Sequence, residues 1–438
     1  MNATTRIMRL RFPLFMAVVM VVPGGLFAGE CSFDTASIER GGRSPVLLCG
    51  AGITTDAAIA GFESAGIEIR YRQYLRRCSP QNRNPGWYLI LRAGNDATDA
   101  RVTVTGAEGP HCEALLGVSG PGREPPAPPD FLNAMDEADA RYVDVNGVRT
   151  RYFDKGEGPV LLLVHGGQPS AADFNAWEWQ QNFDGFAKDF RVIALDRIGQ
   201  GYTDNPGDLD AYDNYYPLVV EHVEGFIRAL DLSRVHLVGH SQGGWPVTRI
   251  AVDHPDLVAS LVIVDSTMIV PAVNVAQAVR FYIYQQNELH PATGATAESI
   301  RRGMAMFSYT KNNITDQRVG RILEISRTEK YATAKAWFMQ HRMSPAHPSF
   351  QQLKADIWAE LTAGHLKVPT LIIWGREDPE GSFGAGVAAY DSLRVAGADV
   401  SFRAFDESGH VPYMEYPVEF NEVVSAFVLG HRTTGASH

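Results

Sequence analysis

Between about residues 139 and 430, short apolar runs alternate with segments whose apolar residues recur at helical spacing. The runs Val160–Val164, Arg191–Leu195 and Leu371–Trp374 have the length and composition of buried strands. One helical face follows the second run and consists of Val219, Val223, Phe226, Ile227 and Leu230. Strands that alternate with helices predict an α/β fold, in which a mostly parallel sheet carries helices on both faces.

A long stretch of helical pattern interrupts this alternation, and we interpret residues 267–366 as a helical cap over the site. Three apolar clusters in the cap have the composition of a pocket for the apolar part of a substrate. They are Phe281–Tyr284, Met304–Phe307 and Trp337–Met339. The alternative for each residue is packing against the core, which is the commoner role of such side chains.

Residues 31–120 have a different character, with strands predicted at Gly66–Tyr71, Trp87–Leu91 and Arg101–Thr105 between Gly, Asn and Asp turns. We predict a small β-rich domain here and see no family motif in it. The proline-rich residues 121–138 predict a stiff linker, and the α/β domain then spans residues 139–435.

The N-terminus has the pattern of an export signal. Arg6, Arg9 and Arg11 precede the apolar stretch Phe12–Ala28, which is short for a bilayer span and is broken by Pro-Gly-Gly. We therefore predict a signal peptide at residues 1–28 and a secreted or periplasmic protein without a stable membrane span after signal removal. A single membrane anchor is the alternative.

All four cysteines lie before the linker, at Cys31, Cys49, Cys78 and Cys112. An even number confined to one small exported segment predicts two disulfides, and their three possible pairings stay open. Four buried thiols are the alternative. A metal site is not predicted, because the cysteines lack the close spacing typical of zinc ligands.

Charge and length limit the classes of binding partner and the number of domains. The formal net charge is −11, which argues against nucleic acid because no basic excess is available to neutralise phosphates. The chain of 438 residues exceeds one typical domain, in agreement with two domains and a linker.

The most informative motif is Gly239–Gly243, which directly follows the apolar run Val235–Val238 and precedes a helical pattern. A Gly-x-Ser-x-Gly motif between strand and helix is typical of a sharp turn that exposes a nucleophilic serine, here Ser241. The backbone N–H of Gln242 then lies at the start of the helix and is expected to face the position of an acyl oxyanion.

Three further motifs contain the other groups that an acyl transfer needs. His165–Gly167 ends a strand, and the N–H of Gly167 is expected to join that of Gln242 in an oxyanion hole. Asp378 follows the strand Leu371–Trp374, and His410 lies in a loop before the last helix. An imidazole activates a serine by taking its proton, and a carboxylate orients that imidazole.

From about residue 139 to residue 430, the chain resembles the α/β-hydrolase superfamily. The resemblance rests on His165–Gly167, Asp196–Gly201, Gly239–Gly243, Trp374–Asp378 and Ser408–His410. It implies that Ser241 is the nucleophile, His410 the general base and then acid, and Asp378 the orienting carboxylate. Asp265 also ends a strand and is the alternative acid. A nucleophilic aspartate, as in dehalogenases and epoxide hydrolases of this fold, is excluded by the serine at position 241.

Three functions remain open. The first is an exported serine hydrolase that cleaves a carboxylic ester or lactone through an acyl-enzyme, with a small acyl substrate and no cofactor. The second is a carbon–carbon bond hydrolase of ring-cleavage diketones. The resemblance to that family lies in Asn175–Trp177, Asn182–Phe183, Phe190–Ala194 and Trp374–Arg376.

Two departures count against the carbon–carbon hydrolases. Gln168–Ser170 stands where that family usually has Gly-Pro-Gly, and Val411 stands where it usually has tryptophan after the histidine. The third function is a non-catalytic binding protein on a hydrolase scaffold, which the intact set of Ser, His and Asp disfavours.

Overall fold

A computed structural model describes residues 135–270, 294–341 and 347–431 without interruption. Before residue 135 it describes shorter stretches, at 31–33, 37–39, 43–50, 58–60, 62–75, 86–93, 97–106 and 109–119. The predicted signal peptide 1–28, residues 121–134 of the predicted linker, and the apolar cluster Phe281–Tyr284 lie outside the described residues.

The N-terminal part of the chain forms two four-stranded sheets. Its strands are β1 (Cys31–Phe33), β2 (Ser37–Glu39), β3 (Arg43–Gly50), β4 (Ala58–Ala60), β5 (Ile67–Leu75), β6 (Gly86–Ala93), β7 (Ala100–Gly106) and β8 (Gly109–Ser119). The sheet orders are β1-β3-β6-β5 and β2-β8-β7-β4. The three strands expected from the sequence correspond to β5, β6 and β7, whereas β3 and β8 were missed because each contains a proline, which usually marks a break in a strand.

The predicted disulfides stay a prediction. Cys31, Cys49 and Cys112 lie in strands whose backbone is described but whose side chains at these positions are not, and Cys78 lies outside the described residues.

The α/β part is built on a sheet of eight strands. They are β9 (Arg141–Val145), β10 (Val148–Lys155), β11 (Val160–Val164), β12 (Arg191–Leu195), β13 (Val235–His240), β14 (Val258–Val264), β15 (Thr370–Gly375) and β16 (Val400–Phe405). Their order is β9-β10-β12-β11-β13-β14-β15-β16. The β9–β10 and β10–β12 pairs are antiparallel and all other pairs are parallel, which confirms the predicted mostly parallel sheet.

Helices cover both faces of this sheet. Alternate residues of one strand point to opposite faces, so Leu162 and Val164 pack in one buried cluster while Leu161 and Leu163 pack in the other. The helices are α1 (Gln180–Phe186), α2 (Tyr215–Ala229), α3 (Gly244–Asp253), α4 (Ala297–Phe307), α5 (Asp316–Ser326), α6 (Glu329–Gln340), α7 (Pro348–Thr362), α8 (Phe383–Val395), α9 (Pro412–Glu415) and α10 (Pro417–Gly430). The alternation of apolar residues therefore fills two layers of core at once.

Helices α4 to α7 fall within the segment interpreted as a cap. The cluster Trp337–Met339 does not line a pocket as a unit. The rings of Trp337 and Phe338 lie 5.5 and 5.0 Å from Tyr212 in the core, and Met339 is 65% exposed. The alternative interpretation, packing against the core, holds for the first two residues.

The topology concentrates loops at one edge of the sheet. The strands β11 to β16 run parallel, so the loops that follow them all leave from the same edge. The sequence analysis did not identify strand β16 and helix α8. They complete this edge before the loop that carries His410, here called the histidine loop. Among the residues that the structure describes, no helix has the length and apolarity that a bilayer span requires.

Candidate active site

Ser241 lies at the turn between β13 and α3, with a backbone φ of +49° that is unusual for a residue other than glycine. The turn is crowded. A Cβ on Gly243 would come within 2.4 Å of the His165 carbonyl oxygen, and one on Gly239 within 2.6 Å of the Gly243 carbonyl oxygen. Only glycine fits these two positions, and the Ser266 hydroxyl donates a 2.6 Å hydrogen bond to the Ser241 carbonyl oxygen. The serine is therefore held in a strained, closely supported turn.

His410 and Asp378 are in direct contact. The Nδ1 atom of His410 lies 2.8 Å from Oδ2 of Asp378, and both side chains are almost completely buried. The other oxygen of Asp378 accepts hydrogen bonds from the backbone N–H groups of Glu380 and Gly381, at 2.8 and 3.0 Å. The loop after β15 thus fixes the carboxylate that faces the imidazole.

The histidine loop is joined to the serine turn through His240, the residue before Ser241. Nε2 of His240 lies 2.9 Å from the His410 carbonyl oxygen, and the two rings are 4.9 Å apart. A carbonyl oxygen only accepts, so the Nε2 atom of His240 carries the proton. The structure therefore brings His410 to the neighbourhood of Ser241.

A buried network lies behind His240. The Tyr413 hydroxyl lies 3.1 Å from Nδ1 of His240 and 3.1 Å from Oε2 of Glu178. Burial raises the pKa of the Glu178 carboxyl to about 8. A neutral carboxylic acid in this position avoids placing an additional charge beside the serine turn.

Asp265 stands beside the Asp378–His410 pair. It is completely buried, and its Oδ1 accepts the Gly375 N–H at 2.8 Å. Burial raises the pKa of Asp265 well above its ordinary value, and the neighbouring Asp378 carboxylate adds to this shift. Burial therefore favours the protonated form of Asp265. The contact with His410 is made by Asp378 and not by Asp265, which was the alternative acid in the sequence analysis.

The ligand atoms of Asp265, Asp378 and His410 lie within 4.8 Å of one another, a grouping that could in principle hold a metal ion. However, Nδ1 of His410 already shares a 2.8 Å hydrogen bond with Asp378, and burial raises the pKa of Asp265 well above its ordinary value. A metal ion would have to displace the proton of that hydrogen bond and compete with the proton that burial favours on Asp265. The donor set thus fits a proton-transfer pair better than a metal centre.

A second carboxyl group faces the other side of the His410 ring. Oε2 of Glu380 lies 3.4 Å from Nε2 of His410, and the Glu380 side chain is 12% exposed. Burial raises the pKa of Glu380 to about 7. Burial alone lowers the pKa of His410, but the charges of Asp378 and Glu380, together with the hydrogen bond to Asp378, outweigh it and raise this pKa to about 10.

Cap residues support the histidine loop. The His410 N–H donates to the Phe307 carbonyl oxygen at 2.8 Å, and the Phe307 ring stacks on the imidazole at 5.2 Å. Glu415 accepts the backbone N–H groups of Gly409 and Thr310, at 2.7 and 2.6 Å. The imidazole is thus positioned jointly by the sheet edge and by the end of helix α4.

The loop expected to supply the oxyanion hole lies next to Ser241, the expected nucleophile. A Cβ on Gly166 would come within 3.0 Å of the Ser241 Cβ, and the Gly166 N–H donates to Glu178 at 3.4 Å. Gly167 follows, with a φ of +67°. Gln242 is buried in the turn itself. Both backbone groups proposed for the oxyanion hole therefore belong to segments that border Ser241.

The sequence analysis missed several residues of this edge, namely Glu178, Arg197, Glu380, Tyr413 and Glu415. Glu380 had a usable signal, because it lies two residues after the expected catalytic aspartate on the same short loop. Arg197 lies within the motif Asp196–Gly201, and Tyr413 and Glu415 closely follow His410, but nothing in the local pattern shows which groups these side chains contact.

Comparison with known proteins gives a family. The model of the alpha/beta hydrolase fold matches residues 159–417, which is more than half of the chain. The 2-hydroxymuconate semialdehyde hydrolase of Pseudomonas sp. (strain CF600) is 27% identical over 293 residues, covering 66% of this chain and 93% of that protein. Epoxide hydrolase 3 of Xenopus tropicalis is 23% identical over 293 residues, covering 65% and 75% of the two chains.

Solved structures agree on the fold. A meta-cleavage product hydrolase from Pseudomonas fluorescens IP01 superposes with a TM-score of 0.54 at 23% identity, covering 66% of this chain and 97% of that one. At this identity the likeness bears on the architecture, and the chemistry has to be argued from the site.

Proposed function

The chain belongs to the alpha/beta hydrolase fold family and is a hydrolase, and on that premise we propose that it cleaves a carboxylic ester or lactone through an acyl-enzyme on Ser241. The observation that carries the proposal is the 2.8 Å contact between His410 and Asp378 beside the strained turn of Ser241. A serine becomes nucleophilic when such a pair takes its proton.

In the proposed reaction, the Ser241 hydroxyl attacks the acyl carbon while its proton passes to Nε2 of His410. The N–H groups of Gly167 and Gln242 stabilise the oxyanion of the tetrahedral intermediate. His410 then gives the proton to the leaving oxygen, which departs as an alcohol. A water molecule, activated by the same imidazole, attacks the acyl-enzyme and releases the carboxylic acid.

The electrostatics of the site favour a substrate without negative charge near the scissile bond. The leaving atom must lie close to Nε2 of His410 to receive its proton, and Glu380 occupies that side of the ring. A carboxylate there repels an anionic group and accepts hydrogen bonds from a neutral or cationic one. This supports esters over the dienoate substrates of ring-cleavage hydrolases, which carry a carboxylate.

Carbon–carbon bond hydrolysis is the second candidate, and the relatives favour it. The match between this chain and the 2-hydroxymuconate semialdehyde hydrolase extends over 93% of the length of that protein. Another relative, 25% identical, is the 2-hydroxy-6-oxo-6-phenylhexa-2,4-dienoate hydrolase of Comamonas testosteroni. The same nucleophile and base would serve in both reactions, so substrate tests must decide between them.

The test combines labelling with two substrate classes. A fluorophosphonate should label the protein at Ser241, and Ser241→Ala should abolish labelling and lower kcat by roughly four to six orders of magnitude. Nitrophenyl esters of increasing acyl length are assayed beside a dienol-diketone. Ester turnover without diketone turnover supports the proposal, whereas the reverse result replaces it with carbon–carbon hydrolysis. Near-normal turnover by Ser241→Ala rejects both.

We also propose that the protein is exported and that residues 31–120 contain two disulfides. The proposals rest on the apolar stretch Phe12–Ala28 and on the restriction of cysteines to the N-terminal part. N-terminal sequencing of the mature protein should begin near residue 29. Thiol titration of the unfolded, unreduced protein should find no free thiol, and four thiols would contradict the proposal.

A further inference from the structure

Arg197 lies directly beneath the backbone of the His165–Gly167 loop. It follows β12 by two residues, and none of its side chain is exposed. Its Nη2 atom donates to the Gly166 carbonyl oxygen at 2.6 Å and also contacts the Gly167 carbonyl oxygen at short range. One guanidinium group therefore binds two consecutive carbonyl groups of the loop.

The direction of these carbonyl groups determines the direction of the neighbouring N–H groups. Described peptide bonds are all trans, and in a planar trans peptide the C=O and the following N–H point in opposite directions. Because the Gly166 oxygen points at Arg197, the N–H of Gly167 points away from it. The same holds for the Gly167 oxygen and the N–H of Gln168.

The loop can adopt this arrangement because residue 167 is glycine. Its φ of +67° is strained for other residues, and a Cβ here would come within 2.5 Å of the Phe174 ring. Gly166 in turn borders Ser241. The loop is thus confined between Arg197, the Phe174 ring and the nucleophile.

Neighbouring groups reinforce the same orientation. The Arg197 N–H donates to Nε2 of His165 at 3.0 Å, so the proton of that imidazole is on Nδ1, which donates to the Gly166 oxygen at 2.9 Å. Gln200 donates to the same oxygen at 3.2 Å. Burial, followed by the charge of Arg197, lowers the pKa of His165 well below its ordinary value, which agrees with a neutral ring.

We propose that Arg197 is the positioning residue of the oxyanion hole: by binding the carbonyl oxygens of Gly166 and Gly167 it turns the N–H of Gly167 toward the acyl oxygen on Ser241. The inference rests on the proposed acyl transfer. The guanidinium also polarises the two peptide groups, which strengthens their N–H groups as donors. Arg197 does not touch the substrate and acts through the backbone.

The test uses a readout specific to the oxyanion. An ester is compared with its thiono analogue, in which sulfur, a weak hydrogen-bond acceptor, replaces the carbonyl oxygen. Arg197→Gln should lower kcat for the oxygen ester by roughly 10- to 100-fold, with KM little changed. This decrease is no larger than the one expected when a whole oxyanion donor is removed. The thiono ester should lose only a few-fold, so the ratio of the two rates falls.

Arg151 offers a matched control. It is another completely buried arginine and pairs with Asp196 at 2.8 Å. Its described contacts do not include the His165–Gly167 loop. Arg151→Lys should leave the oxygen-to-thiono ratio unchanged, while Arg197→Lys, which keeps the charge but loses the planar group, should lower it. If Arg197→Gln does not fold, the two lysine variants decide the question.

An unchanged ratio in the Arg197 variants, with both substrates slowed equally, would show a purely structural role and overturn the inference. Failure of the proposed function looks different, because the wild-type protein would then hydrolyse neither ester. In that case the fluorophosphonate labelling rate still tests Arg197, since the phosphonyl oxygen occupies the same hole. Equal labelling rates of wild type and Arg197→Gln would contradict the inference.

Discussion

The two nitrogen atoms of the His410 ring face two carboxyl groups in different environments. On the Nδ1 side, Asp378 is completely buried, lies at 2.8 Å and is fixed by two backbone N–H groups. On the Nε2 side, Glu380 lies at 3.4 Å and is 12% exposed, with a pKa raised by burial to about 7. The same functional group is therefore held rigidly on one side and left to titrate on the other.

One loop therefore places two carboxyl groups with different roles beside the same imidazole. In the proposed mechanism, the Asp378 carboxylate orients the imidazole and stabilises its protonated form, which the reaction requires only transiently. The Glu380 carboxylate stabilises the same protonated form before any substrate is bound, and so opposes the role of His410 as a base. Three substitutions separate these contributions.

The largest effect is expected from Asp378→Asn. The amide keeps the size of the side chain but removes the charge and can impose the wrong tautomer on His410, so kcat should fall by about 10⁴-fold. Steady-state kinetics with the best ester measures the change. Thermal unfolding is the control, since a variant that has lost its fold would also lose activity. A loss below about tenfold would mean that Asp378 is not the orienting group.

Glu380→Gln should shift the pH dependence instead. The imidazole accepts a proton only when neutral, so kcat/KM rises with pH through the pKa of His410, which Asp378 and Glu380 raise to about 10. Removing one charge lowers that pKa, so the acid limb moves to lower pH. At pH 7 kcat/KM should increase roughly several-fold, since one pKa unit corresponds to a tenfold change.

The control for this shift is Glu419→Gln, which removes an exposed carboxylate on α10 that pairs with Arg403. It should leave the pH profile in place. The profile of kcat/KM is the relevant one, because it reports the free enzyme. An acid limb that stays at the wild-type position in Glu380→Gln, or moves to higher pH, would show that Glu380 does not act on His410.

The smallest effect is expected from Asp265→Asn. Burial raises the pKa of Asp265 well above its ordinary value and so favours the neutral acid. The neutral amide keeps that charge state and the acceptor for the Gly375 N–H, and kcat should change by no more than a few-fold. Asparagine also tolerates the φ of +43° at this position. Asp265→Ala should instead lower the free energy of unfolding by about 1–3 kcal/mol, because a buried donor loses its partner.

Denaturant unfolding and kinetics of both Asp265 variants provide the measurement. A loss of activity in Asp265→Asn close to that of Asp378→Asn would reverse the comparison and identify Asp265 as the functional acid, which was the alternative considered from the sequence.

Much of the α/β fold was predictable, because apolar periodicity marks buried strands and helices locally. The runs that became β11, β12 and β15 have no alternation because both of their faces are covered. Strand β16 lies at the sheet edge, and its residues alternate between intermediate and exposed positions up to the buried Phe405 at its end. Its weaker apolar pattern explains why it was missed.

Local sequence patterns predicted several strands of the α/β part, the turn at Ser241 and the chemical types at the strand ends, since glycine at a turn and an apolar run in a strand reflect local sterics and burial. Tertiary contacts alone bring particular carboxyl groups to His410 and place the Arg197 guanidinium under Gly166 and Gly167. Those contacts join loops far apart in the chain, and their charge states depend on burial that exists only after the sheet edge has assembled.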